Sequence, residues 1–344
     1  MKFPPPGRLV EIGGRRLHLQ LSPEPVGQAI LSPADPGSSL QPALEPAGRE
    51  PARPTVILEA GLAATSLSWA TVQPLIAEFA RVASYDRAGL GWSDERHGAN
   101  GSDDATESAT ALNAVTSLHA LLRNADLPAP YILVGHSFGG LIARLFQQLH
   151  QDQVAGLVLV DPVVRSQWRT PDDHHRKMLA RGVALSRRGE FLVRIGVVRF
   201  ALARLTGGSH RLPGLFARTF AGKAAGVTNR LVGEVRKIPR ELWPMIAAHW
   251  SEARAFRIMA GYLENLPLSC GQLDETPALG DLPIVVLSSA GSSADTLAEH
   301  ARDAGLSTRG EHLVVPDTGH WINLDAPEAI AAAVRRVIDR AAVS

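Results

Sequence analysis

A serine stands at position 137 in the run YILVGHSFGGLIARLF (131–146), where an apolar stretch enters a Gly-His-Ser-Phe-Gly turn and leaves as a helix-like pattern. A serine hydroxyl is a weak nucleophile until a neighbouring base takes its proton, and it must project clear of the chain to reach a substrate. A sharp strand-to-helix turn achieves that projection. Gly135 and Gly139 occupy places where a larger side chain would collide with neighbouring backbone, and the turn leaves Ser137 exposed at the carboxyl end of a strand. The amide of Phe138, at the start of the following helix, then faces the point where negative charge develops on an attacked carbonyl oxygen.

Such a turn needs a sheet to hold it. From TVILEA at 55 onward, apolar runs alternate with longer segments of helical period: RVASYD at 81, YILVGH at 131, VAGLVLVD at 154, PIVVLSS at 283 and EHLVVPD at 311. This rhythm predicts an α/β fold, a mostly parallel sheet flanked by helices on both faces. The helices fall at 68–80, 104–125, 139–150, 295–304 and 326–341, the last capped by Asp325 with Pro327 in its first turn. Ahead of the alternation, RLVEIGGRRLHLQL (8–21) reads as a hairpin around Gly13 and Gly14. Residues 22–54 carry eight prolines and three glycines and are expected to form a flexible insertion within the same domain. Residues 162–277 are helix-favouring and Arg-rich without a convincing strand, which predicts a helical cap inserted into a core of residues 1–161 and 278–344.

At 344 residues and 45% hydrophobic, the chain can fill a sizeable core, which excludes disorder throughout. Its 35 basic and 34 acidic residues argue against nucleic-acid binding. The balance is uneven along the chain: the cap segment carries 19 basic and 9 acidic residues, the remainder 16 and 25. Two surfaces that attract across their interface explain this, as does a cap that draws in anionic substrates or contacts a membrane surface. In FLVRIGVVRFALARL (191–205), Arg194, Arg199 and Arg204 spread around a helix and form no single basic face, so an ordinary cap helix is expected. Trp168, Trp243 and Trp250 either line an apolar pocket or pack. Asp86 and Arg87 are expected to pair locally, and His174 and His175 in DDHHRK to be solvated, with no spacing that compels a metal. The single cysteine, Cys270, reads as a small buried hydrophobe and fits a reducing compartment. No signal-like segment opens MKFPPPGRLVEIGG and no run approaches 18 apolar residues, so no transmembrane segment and a cytoplasmic location are expected.

Taken together, these motifs resemble the α/β-hydrolase family, in its serine hydrolase branch with a helical cap, from residue 8 to 341 apart from the Pro-rich insertion. ILEAGLAATSLSW is similar to the family's loop after the third strand, which implies that the Leu62 amide is a second oxyanion donor. YDRAGLGWSD (85–94) is similar to the segment after the fourth strand, with Gly89 and Gly91 allowing a tight loop. PDTGHWINLDAPEAI (316–330) matches the family's histidine loop and last helix, which implies that His320 is the base. The family's usual acid follows the seventh strand, but PIVVLSSAGSSADTLAEH has a serine at that place and Asp295 a few positions later. Some relatives, haloalkane dehalogenases among them, carry the acid after the sixth strand, where this chain has Asp161 in GLVLVDPV. Asp161 is preferred and Asp295 is the alternative.

The resemblance implies a serine hydrolase that needs no cofactor and no metal. It would cleave a small-molecule acyl substrate, in the first instance a carboxylic ester, through an acyl-enzyme. A thioesterase, an amide or carbon–carbon bond hydrolase, a cofactor-free perhydrolase and a hydrolase-fold binding protein without turnover stay open. Serine at 137 separates the chain from haloalkane dehalogenases and epoxide hydrolases, which use a carboxylate nucleophile.

Overall fold

The computed structural model describes residues 3–22, 54–95, 109–196, 237–273 and 278–342. Residues 23–53 of the expected insertion, 104–108 of the helix expected from 104 and 197–205 of the expected cap helix lie outside the described residues.

Eight strands form one sheet: β1 (Arg8–Glu11), β2 (Arg16–Ser22), β3 (Thr55–Glu59), β4 (Val82–Tyr85), β5 (Tyr131–His136), β6 (Val154–Val160), β7 (Ile284–Ser289) and β8 (Gly310–Val315). Their spatial order is β1-β2-β4-β3-β5-β6-β7-β8. β1 and β2 form an antiparallel hairpin whose turn uses Gly13 and Gly14 at φ +62 and +86, a region that costs glycine no Cβ clash. β2 joins β4 antiparallel, and every later pairing is parallel.

The central strands β3, β5 and β7 are buried at every position, because helices cover both faces. Alternate residues serve opposite cores. On one face Ile57, Leu133, Leu157 and Val286 meet α2 (Ala111–Asn124) and α3 (Phe138–Leu149) through Leu118, Leu122, Ile142 and Phe146. On the other, Val56, Val134, Val158 and Val285 meet α1 (Gln73–Ala77) and the last helix, Pro327–Ala341, through Ile76, Ile330, Val334 and Val337. Each such aliphatic side chain contributes roughly 1.5–3 kcal/mol relative to exposure.

Between β6 and β7 the described chain is helical: α4 (Arg165–Arg169), α5 (Asp173–Arg194), α6 (Trp243–His249), α7 (Ala253–Glu264) and α8 (Leu266–Gln272). α5 lies along α7 so closely that a Cβ on Gly189 would sit 2.3 Å from the Phe256 ring. α9 (Ala294–Ala304), α10 (Ile322–Asp325) and α11 (Pro327–Ala341) follow. Cys270 is fully buried, and burial pushes its thiol up to about 12.

Three local expectations are corrected. The helix expected at 68–80 divides into a 3₁₀ turn at Ser66–Trp69 and α1, because Pro74 has no amide to continue a helix and instead starts a new one. Asp325 does not cap α11: Ala326 occupies that position, while Asp325 accepts from the Gly319 amide at 2.9 Å and pairs with Lys237. Asp86 and Arg87 do not pair with each other. Asp86 accepts from the amides of Ser66 and Trp92 and from His18, whereas Arg87 reaches Glu59.

Candidate active site

β5 and β6 run in register, His136 beside Val160, so the residues that follow them emerge side by side at the carboxyl edge of the sheet. Those residues are Ser137 and Asp161. Both have positive φ, +55 and +42, a strain of about 1–3 kcal/mol each for non-glycine residues. Local bonds hold Ser137 there: its amide donates to Val160 O at 3.0 Å, and its carbonyl accepts from Gly140 and Val163. The flanking glycines are steric requirements. A Cβ on Gly135 would lie 2.3 Å from the Gly139 carbonyl, and one on Gly139 would lie 2.3 Å from the Glu59 carbonyl.

His320 arrives from the loop after β8, braced by the Gly319–Asp325 contact and by Thr318 Oγ1 donating to Val315 O at 2.8 Å. Its Nδ1 lies 2.7 Å from Asp161 Oδ2. A carboxylate accepts only, so Nδ1 carries a proton, which in a neutral imidazole leaves the lone pair on Nε2. The other oxygen of Asp161 accepts from the Ser289 amide at 3.0 Å and from Ser292 Oγ at 3.3 Å. Burial pushes the Asp161 carboxyl up, but the hydrogen bonds from His320 and Ser289 together outweigh it and leave the group below the usual carboxylate range. Asp295 sits elsewhere, exposed in the first turn of α9, where a carboxylate favours the helix dipole. Ser292, the serine at the family's usual acid place, donates to Asp161 instead.

Sequence reasoning missed His136. Its ring is buried, with Nε2 donating to the His320 carbonyl at 2.8 Å, while a Cβ on Gly61 would lie 3.0 Å from its Nδ1. It therefore stands between the Gly61–Leu62 loop and the His320 loop. Burial first, and the nearby His320 second, hold it at about 3, so the ring is neutral at physiological pH. Its position one residue before the serine is the only signal the sequence offers.

Ser137, Asp161, His320 and Leu62 line one cavity of about 500 Å³. Trp168, Met178, Leu179, Leu263 and Leu266 from the inserted segment give it apolar lining, and Ser289, Ser292 and Thr296 give it hydroxyls. Ser137 Oγ makes no hydrogen bond among the described residues and faces this space. Of Trp168, Trp243 and Trp250, Trp168 lines the cavity. Trp243 donates to Ile238 O instead, and Trp250 packs edge-on against Phe256.

Leu62 follows β3, and Phe138 opens α3, so its amide is among those with no acceptor inside the helix. Behind the Leu62 loop, Glu59 accepts from Arg87 at 2.5 Å and from the Tyr85 hydroxyl. Burial pushes the Glu59 carboxyl up, and Arg87 beside it pulls it back only in part.

Some cations of the inserted segment meet acids outside it, as Arg257 does Glu95 at 2.9 Å and Lys237 does Asp325. His175 is not simply solvated: it bonds Asp172 at 2.7 Å and stands edge-on to Trp168. Among the described residues no group of three His, Cys, Asp or Glu could hold a metal ion, and no helix is long and apolar enough to cross a membrane.

A family model described as alpha/beta hydrolase fold matches residues 54–327. The chain is 31% identical over 135 residues to YqjL of Bacillus subtilis, an uncharacterized protein, covering 37% of this chain and 50% of YqjL. It is 50% identical over 50 residues to the lipase LipV of Mycobacterium tuberculosis, covering 14% of this chain and 19% of LipV. The matches thus span half or less of the length of these curated relatives. Among solved structures, a thermophilic esterase from Thermogutta terrifontis, with malate bound, is similar at a TM-score of 0.59 and 18% identity, covering 97% of this chain and 98% of that one. At that identity the likeness concerns the fold alone.

Proposed function

The chain belongs to the alpha/beta hydrolase fold family, and from that premise we propose that it is a serine hydrolase cleaving carboxylic esters of small or medium apolar acyl groups. His320 Nε2 takes the proton of Ser137 as Oγ attacks the acyl carbon, a contact that tightens when substrate fills the cavity. Asp161 keeps the imidazole in the required tautomer and stabilises it once charged. The amides of Leu62 and Phe138 hold the oxyanion, His320 returns the proton to the departing alcohol, and water then repeats the sequence on the acyl-enzyme. The apolar lining from the inserted segment takes the acyl chain.

One observation carries this reading: the Asp161–His320 hydrogen bond of 2.7 Å opens on the same cavity as the serine of the strained turn. The test is a panel of activated esters and thioesters, with a serine-directed phosphonate, on wild type and Ser137→Ala. Wild type is expected to turn over short and medium esters and to be labelled at Ser137. The variant should lose labelling and about 10⁴-fold or more in rate. Wild type that hydrolyses no ester and resists the phosphonate overturns the reading.

A further inference from the structure

Arg87 lies behind the proposed oxyanion loop and plays no part in the reaction as described above. Its guanidinium is buried, held by Glu59 at the end of β3. What else it touches is unusual for an ion pair. Nη1 donates to Ala60 O at 2.7 Å, and Nη2 donates to Gly61 O and to Leu62 O, the last at 2.5 Å. One side chain thus reads three consecutive carbonyls. Its guanidinium carbon lies over the Phe138 ring at 5.8 Å from the centroid and over the Tyr262 ring at 5.0 Å.

In a trans peptide the C=O and the following N–H point in opposite directions. The Gly61 carbonyl aimed at Arg87 therefore turns the Leu62 N–H away from Arg87, and of the two residues it is Leu62, with Ser137, that lines the cavity. The flanking carbonyls fix the planes before and after it, so that peptide cannot rotate alone. A cation bonded to the oxygen of a peptide also polarises the unit and makes the opposite N–H a stronger donor. The Phe138 ring, over which the same guanidinium lies, brings the second donor residue beside it. From these contacts we infer that Arg87 is the positioning residue of the oxyanion hole: it aims and strengthens the Leu62 amide from behind and locks it in step with Phe138. This rests on the serine hydrolase reading and adds to it a residue that touches no substrate.

Lysine would keep the charge but not the planar fork that serves three carbonyls and a carboxylate together. Arg87→Lys is compared with wild type on an activated ester, and against two inhibitors of one acyl chain. A trifluoromethyl ketone adds Ser137 and forms the oxyanion; the methyl ketone fills the cavity without doing so. Complete loss of one oxyanion donor costs about 10²–10³ in kcat, and a misaimed donor is expected to cost about 10- to 100-fold, with KM within about threefold. Affinity for the trifluoromethyl ketone should fall in step with kcat, while that for the methyl ketone holds. Should Arg87→Lys not fold, Arg87→Met with Glu59→Leu removes both charges together, and the same split is expected. Wild type that neither turns over nor labels overturns the hydrolase reading and this inference with it. An active wild type, with a variant that keeps kcat or loses affinity for both ketones alike, overturns this inference alone.

Discussion

His136 offers a prediction in which the structure sets both size and sign. The ring is buried and neutral, held at about 3 against an ordinary 6.5, with its one proton on the nitrogen that faces the His320 carbonyl. Its other nitrogen has no hydrogen-bond partner, so a second proton would find no acceptor. A folded value below the unfolded one means that the unfolded chain binds more protons as pH falls. The stability this group provides is complete above pH 6.5 and is lost progressively toward pH 3. At pH 5 the unfolded imidazole is protonated by roughly 30 to 1 while the folded one is not, which favours unfolding by about 2 kcal/mol; at pH 7.5 the effect is below about 0.1 kcal/mol. His136→Gln keeps an amide donor for the His320 carbonyl and removes the titration. Urea unfolding of both proteins at pH 7.5 and 5.0 measures the difference. Wild type should lose about 2 kcal/mol more than the variant over that interval, with unchanged denaturant slope. The other depressed histidines, His150, His249 and His312, are present in both proteins and cancel. Equal losses in the two proteins refute the reasoning, because they mean that His136 takes up its proton inside the fold.

Two further outcomes follow. Asp161→Asn should lower kcat by about 10⁴-fold through the wrong His320 tautomer, whereas Asp295→Asn, on an exposed helix turn, should leave ester turnover within about twofold; steady-state kinetics on one ester compares them directly. Gly139→Ala should destabilise by several kcal/mol or abolish folding, because its Cβ meets the Glu59 carbonyl 2.3 Å away; the thermal midpoint and the soluble yield report it.

The strands were legible because their apolar runs are buried on both faces and punctuated by glycines and prolines, a local signal. The serine turn was legible for the same reason, since Gly135, Ser137 and Gly139 meet within a single bend. Which aspartate meets His320 was not: choosing between Asp161 and Asp295 needs the β5–β6 register and the path of a loop nearly two hundred residues beyond the serine. Asp86 and Arg87 were misread because adjacent residues leaving a strand point to opposite sides. Asp86 accordingly turns to His18 on β2, and Arg87 to Glu59 on β3. Asp325 was read as a cap from its neighbours in sequence, yet the Gly319 amide, six residues earlier, reaches it in space.

Because the carboxylate beside His320 comes from the end of β6, the stretch leaving β7 supplies His320 with none. It serves Asp161 chiefly through the Ser289 amide, a group that every residue except proline possesses, and otherwise offers the cavity short hydroxyls and a glycine. On the proposed mechanism, a change of length or character in that stretch would leave Ser137, His320 and Asp161 where they are. Substrate preference would then be altered there without touching the three proposed catalytic residues.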